Sequence, residues 1–400
     1  EKRALIPVID SSARVENLTL ENVDFDGVGA VLTGKNNGVI KGVTVEGTIA
    51  NTRDRISGIA YENNGTIKKT KVKGTFIGTG YGMVMFNKGN IQDSRAEITM
   101  NDSSSYIYND IGGLVFDNTG TISSCTTKVD IDVHGNVGAL VLNNFGTVTN
   151  SYASGKVAAE ETFYASGFVN ENSGLIEGSV SNVSVQSGSG FVSQNMGTIK
   201  RSFAAGDVSG RAAFAGSNYA TIEDCYSVGD VHADDLSHSY AGGFVAYNED
   251  TAKVTGYALG VLIYKGKKIC SALPKNTKST DGFYYLADGC SDTLKTGKPL
   301  SRAAMLKKSS FKKFDFKSVW SIKEGVSSPL LRGLPNIPFA GSDSLDYSEG
   351  GLKAKKVRNS LIDMAYVADS AAKLIVKLDP ASDALLDSLE KSLLTSTSFI

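Results

Sequence analysis

The sequence predicts an all-β fold, a parallel β-helix (β-solenoid) of about nine to ten coils with a C-terminal capping region. Three observations predict it. A pattern of Gly, an apolar pair, Asn, Gly and Ile returns nine times between residues 29 and 255. Its central positions recur every 23 to 31 residues, too irregular for a helical heptad and too short for an independent domain. Within each copy, short apolar runs and alternations such as "TVEGTI" and "SVSNVSV" have the period of strands, and no helical stripe stands out from 27 to 262.

Residues 1–26 read as N-terminal strands or a first coil, and 27–262 as the repeat array. The copies are "GAVLTGKNNGVIKGV" (29–43), "GIAYENNGTIKKT" (58–70), "GMVMFNKGNIQDS" (82–94), "GLVFDNTGTISSC" (113–125) and "GALVLNNFGTVTNS" (138–151). They continue as "GFVNENSGLIEGS" (167–179), "GFVSQNMGTIKRS" (190–202), "AFAGSNYATIEDC" (213–225) and a degenerate "GFVAYNEDTAKVT" (243–255). An Asn precedes the central position by two in every copy: Asn36, Asn63, Asn87, Asn118, Asn144, Asn172, Asn195, Asn218 and Asn248. The centre is Gly in the first seven copies, then Ala220 and Asp250 as the pattern fades. Ile or Val follows two residues later in the first eight, and three beyond that most often Ser, Thr or Cys.

A unit of this size cannot bury its own apolar face and becomes stable only by stacking on neighbours. Stacked at the inter-strand spacing of about 4.8 Å, such coils give a rod about 45 Å long. Asn at one bend of successive coils can bond side chain to side chain along the stack and satisfy turn groups. A buried polar group left unpaired costs about 1–3 kcal/mol, so the nine Asn read as a structural ladder before any ligand role. The Gly supplies a positive φ or close backbone approach, the Ile or Val points inward, and length differences are expected in loops on one side.

Residues 263–340 read as the cap, because an open solenoid end presents unpaired backbone groups that invite edge pairing. There "MLKKSSFKKFDFK" interleaves Lys307, Lys308, Lys312, Lys313 and Lys317 with Phe311, Phe314 and Phe316. Basic plus aromatic suits nucleic acid or anionic glycans; in a cap, the aromatics instead plug the core and the lysines discourage pairing. Residues 341–400 read as a linker and the possible start of a further module. Opening on "EKRALIPVID" and stopping at "STSFI", the chain reads as part of a longer polypeptide.

A net charge of −1 gives no bulk attraction to nucleic acid or anionic membrane. No apolar run reaches the roughly 18 residues of a membrane span. His-Glu-x-x-His, Gly-x-Ser-x-Gly, P-loop and Rossmann patterns are lacking, so no cofactor is expected.

Two constellations remain as candidates for chemistry. In "VDIDVH", Asp130, Asp132 and His134 alternate with Val129, Ile131 and Val133, which on a strand puts the polar groups on one face. Such carboxylates serve polysaccharide cleavage or cation binding; a solvated strand face shows the same alternation. His232, Asp234, Asp235 and His238 are metal-ligating types within seven residues, or a surface loop between coils. Cys125 and Cys225 share one motif position four coils, about 19 Å, apart, beyond disulfide reach. Cys270 and Cys290 flank "FYYL" and could bridge in an oxidising compartment.

The stretches "GTISSC", "GTVTNSYASGKV", "GTIKRSFAAGDV" and "ATIEDCYSVGDV" resemble the GLUG motif over roughly 27–262. The second Gly of that motif is often missing here, and copies three and six lack the trailing Gly-x-Val. The segment from "DGFYYLADGC" to "SPLLRGL" is similar to the ending of GLUG arrays. The resemblance implies a bacterial cell-surface or secreted protein, since such arrays occur in surface adhesins and in β-helical N-terminal regions of secreted IgA-cleaving metallopeptidases. Three functions are expected in turn: a non-catalytic adhesive or spacer surface recognising a glycan or surface protein, a β-helical polysaccharide lyase or hydrolase using Asp130, Asp132 and His134, or an accessory β-helix of a larger peptidase.

Overall fold

A computed structural model describes residues 3–102, 110–159, 164–233, 241–270, 272–274, 277–278, 280–290 and 296–334. The chain winds as a β-solenoid of about ten turns. One coil shows the plan: a first strand Val115–Asn118, a second Thr121–Ser123, a third Thr126–Val133, and a short fourth Val137–Gly138 that leads into the next coil. The first strands stack into a ten-stranded sheet running from Ile6–Ile9 to Val245–Asn248, and the others wind into one continuous sheet. Among the described residues every pairing is parallel except the hairpin Leu262–Tyr264 with Lys267–Ile269 and the pair Trp320–Ser321 with Leu330–Leu331.

The Asn bend holds the coils in register. Asn36 Nδ2 donates to Asn63 Oδ1 at 2.7 Å, and the same bond repeats at 2.7–2.8 Å through Asn87, Asn118, Asn144, Asn172, Asn195 and Asn218 to Asn248. All nine side chains are fully buried. Ile9 occupies the ladder position before Asn36, and at the other end Asn248 Nδ2 donates to the Glu249 and Ala252 carbonyls. Two residues on, the Gly is required by close approach, not by a positive φ. A Cβ on Gly146 would lie 2.2 Å from the Gly120 carbonyl oxygen of the coil before, and the rest of the row from Gly65 to Gly197 is equally tight. Where Ala220 replaces Gly, the bond from the Thr221 N–H to Gly197 O stretches to 3.2 Å, against 2.9 Å for Thr147 to Gly120.

A second ladder runs at the next corner. The Ser151 hydroxyl accepts from the Cys125 N–H and donates to the Thr149 carbonyl; Ser179 and Ser202 repeat the arrangement. The preceding residue takes a left-handed conformation: Lys69 (φ 50°), Asp93 (49°), Ser124 (53°), Asn150 (48°), Arg201 (46°) and Asp224 (52°). Inside, like residues pile up. Ile67, Ile91, Ile122, Val148, Ile176, Ile199 and Ile222 form one buried column. Phe168, Phe191, Phe214 and Phe244 stack at 4.7–4.8 Å in another. Three segments that follow a third strand in the sequence, 103–109, 160–163 and 234–240, lie outside the described residues.

Phe311 and Phe314 do not plug the core end. They lie against Tyr257 and Tyr284, which face outward from the third strands, in an apolar cluster separate from the interior. Trp320 stacks on Phe314 at 4.4 Å, and its Nε1 donates to Asp224 Oδ1 at 3.0 Å. Residues 302–334 are thus a strap along the flank. The inner core ends instead on Cys270, Leu273, Phe283 and Tyr285.

Candidate functional site

Alternation on Thr126–Val133 buries Val129, Ile131 and Val133 and exposes Asp130 and Asp132. His134 lies one residue past the strand, half-buried. In register, Asp130 is flanked by Thr99 and Lys156, and Asp132 by Asn101 and Ala158. Neither carboxylate gains a second from these flanking positions. The row through Asp132 continues by Ala158, Gln186 and Ser209 to His232, exposed on Val231–Ala233. His232 therefore shares a face with Asp132 but stands four rungs away, about 19 Å. Asp234, Asp235 and His238 lie outside the described residues. Among the described residues no three His, Cys, Asp or Glu side chains gather closely enough to hold a metal ion.

The cysteines divide into two kinds. Cys270 and Cys290 are disulfide-bonded, with Cα atoms 5.5 Å apart, and close the end of the core. Cys125 and Cys225 are free and buried; burial pushes the Cys125 thiol up to about 12 and raises Cys225 as well. Neither has the thiolate character of a reactive cysteine. Lys307, Lys308, Lys312, Lys313 and Lys317 are exposed on the strap; Lys313 pairs with Asp281 at 2.8 Å and Lys308 lies over the Phe316 ring.

The residue between Asn and Gly at each bend forms an outward row that is not among the sequence expectations. Its first four members are Asn37, Asn64, Lys88 and Thr119, and Asn64 Nδ2 donates to Asn37 Oδ1 at 2.9 Å. Later coils place Phe145, Met196 and Tyr219 there, 55%, 46% and 43% exposed. Their backbones are held identically: the N–H groups of Phe145, Met196 and Tyr219 donate to the carbonyls of Asn118, Asn172 and Asn195. Tyr247, on the adjoining first strand, has its ring 5.6 Å from Tyr219. Its hydroxyl donates to Glu249 Oε2 at 2.6 Å, and that bond, aided by burial, raises the Tyr247 pKa. Large apolar side chains at a solvent-facing turn position were the signal in the sequence.

Polar groups flank this row on both sides. The first strands contribute Asn143, Glu171 and Gln194, and the second strands Thr147, Thr198 and Thr221. Glu223 sits between Lys200 and Lys253, each at 3.4 Å, and Glu177 pairs with Arg201. Compared with known proteins, the chain matches no family model, no curated protein and no solved structure.

Proposed function

We propose that the chain is a non-catalytic segment of an exported bacterial protein, of the GLUG-repeat kind its sequence resembles, and serves as an adhesive or spacer surface at the cell envelope. The supporting observation is a segregation of constraint. Core columns and the Asn ladder are uniform along the rod, while the outward turn row and the repeat length vary from coil to coil. A rigid rod with its variation turned outward loses little ordering entropy on binding and can repeat weak contacts along its length. The Cys270–Cys290 disulfide suits an oxidising compartment.

Beads carrying the purified chain are expected to adhere to polysaccharide-coated or cell surfaces without releasing product from acidic polysaccharides. Release of unsaturated or reducing-end product, abolished by Asp132→Asn, would overturn this reading in favour of a lyase or hydrolase.

A further inference from the structure

We propose that Phe145, Met196 and Tyr219, with Tyr247 beside them, form a binding strip for an extended, uncharged polysaccharide. The inference rests on the adhesive reading above and names its ligand.

The strip is not scattered surface apolarity. Three large apolar side chains occupy one solvent-facing repeat position, Met196 and Tyr219 in successive coils and Phe145 set apart from them by the small, exposed Ser173, while the earlier coils carry Asn37, Asn64, Lys88 and Thr119 there. Exposed apolar groups rimmed by polar ones mark binding surfaces. The rungs recur at about 4.8 Å, close to the length of one pyranose unit in an extended chain. Sugar C–H faces pack on the electron-rich faces of Phe and Tyr, while the Gln194 amide, the Thr198 hydroxyl and the Asn143 side-chain carbonyl stand beside the row for ring hydroxyls.

Charge and width favour this occupant over others. Of the carboxylates near the row, Glu223 is matched by Lys200 and Lys253 and Glu177 by Arg201, Glu249 holds the Tyr247 hydroxyl, and Glu171, with no cation beside it among the described residues, disfavours an anionic polymer. The strip therefore suits a neutral ligand. A peptide that adds a strand needs free backbone groups, but the turn N–H groups of Met196 and Tyr219 are spent on the neighbouring coils. A second copy of the chain would need roughly 800 Å² per partner; a row spanning four coils, about 14 Å from first to last, and one side chain wide is too narrow for that.

The test is affinity electrophoresis in gels cast with hydroxyethylcellulose, mixed-linkage β-glucan or galactomannan, with alginate as the charged comparison. The native chain is expected to be retarded by at least one neutral polymer and not by alginate. The triple variant Phe145→Ser, Met196→Ser, Tyr219→Ser is expected to bind at least tenfold more weakly, with an unchanged melting midpoint because the replaced side chains are exposed. Equal retardation of the triple variant, no retardation of the native chain by any neutral polymer, or retardation by alginate that the variant loses would each overturn the proposal. So would a native dimer in sedimentation that the variant converts to monomer. Bead adhesion separates the two levels: adhesion kept by the triple variant removes the strip alone, and no adhesion by the native chain removes the adhesive reading itself.

Discussion

Asn172 accepts from Asn144 and donates to Asn195, so Asn172→Ala leaves a buried donor and a buried acceptor unpaired in adjacent coils. At about 1–3 kcal/mol for each unpaired group, the variant is expected to lose roughly 2–6 kcal/mol in denaturant unfolding, with binding to surfaces unaffected where it remains folded. An unchanged midpoint would contradict the ladder's contribution. Lys69 makes a different point. Its φ of 50° is one that Lys tolerates and a β-branched residue does not. Lys69→Ile is expected to cost about 1–2 kcal/mol, and Lys69→Gly little or nothing, measured in the same titrations. The Asn row was legible in the sequence because one chemical group does one job nine times. The left-handed corner was not, because Lys69, Asp93, Ser124 and Arg201 share a backbone conformation and no side-chain chemistry. Phe145, Met196 and Tyr219 did not stand out for the opposite reason: their position holds a different residue type in nearly every coil.

At the scale of elements, the strap from 302 to 334 is tied to the flank by Trp320 on Asp224 and by the Tyr257 hydroxyl, which donates to the Pro329 carbonyl. Burial holds the Asp224 carboxyl above its ordinary 3.8, with the Trp320 bond opposing. A raised carboxyl pKa means the folded state binds the proton more tightly than the unfolded chain. Stability from this group is therefore highest below pH 3.8 and falls as the pH rises through the folded value. Asp224→Asn keeps the acceptor, suits the left-handed backbone at φ 52°, and removes the buried charge. It is expected to unfold at higher denaturant than the native chain at pH 7, the difference vanishing below pH 3.8. The single Trp provides the fluorescence readout. A cap was expected in this region on the ground that an open end needs cover. Only tertiary packing could reveal that its aromatics meet an outward column of Tyr226, Tyr257 and Tyr284, because on a strand that column shares its sequence with inward neighbours such as Phe283 and Tyr285.

For the whole molecule, each coil contacts mainly its two neighbours, so stability is a sum of local terms and ends can open without the middle. Removing the Cys270–Cys290 bridge, whose sulfurs close a sequence separation of 20 residues, is expected to cost about 3 kcal/mol. The double variant Cys270→Ser, Cys290→Ser should move the Trp320 fluorescence transition to lower denaturant while far-ultraviolet circular dichroism, dominated by the coils, shifts much less. Equal shifts in both signals would mean that the rod unfolds as one unit. The parallel stacked architecture followed directly from repeat length and strand period, since no other arrangement buries the apolar face of so small a unit. Where a surface would act did not follow from them, because stacking fixes what faces inward and places no demand on the chemistry of the outward row.

The asparagine ladder also has a direction. In a parallel sheet the backbone dipoles of successive residues alternate along the stack and nearly cancel, but every ladder amide donates toward the C-terminal end. Eight aligned bonds polarise one another and leave an electrical axis through the rod, its oxygen end facing the apolar stop at Ile9 and its amino end spent on the carbonyls of Glu249 and Ala252. One reversed amide would set two donors face to face at one junction and two acceptors at the next. The ladder's orientation is thus set twice, collectively along this polar wire and within single bends, where the Nδ2 groups of Asn63, Asn87, Asn144, Asn172 and Asn218 also reach the carbonyl two residues on.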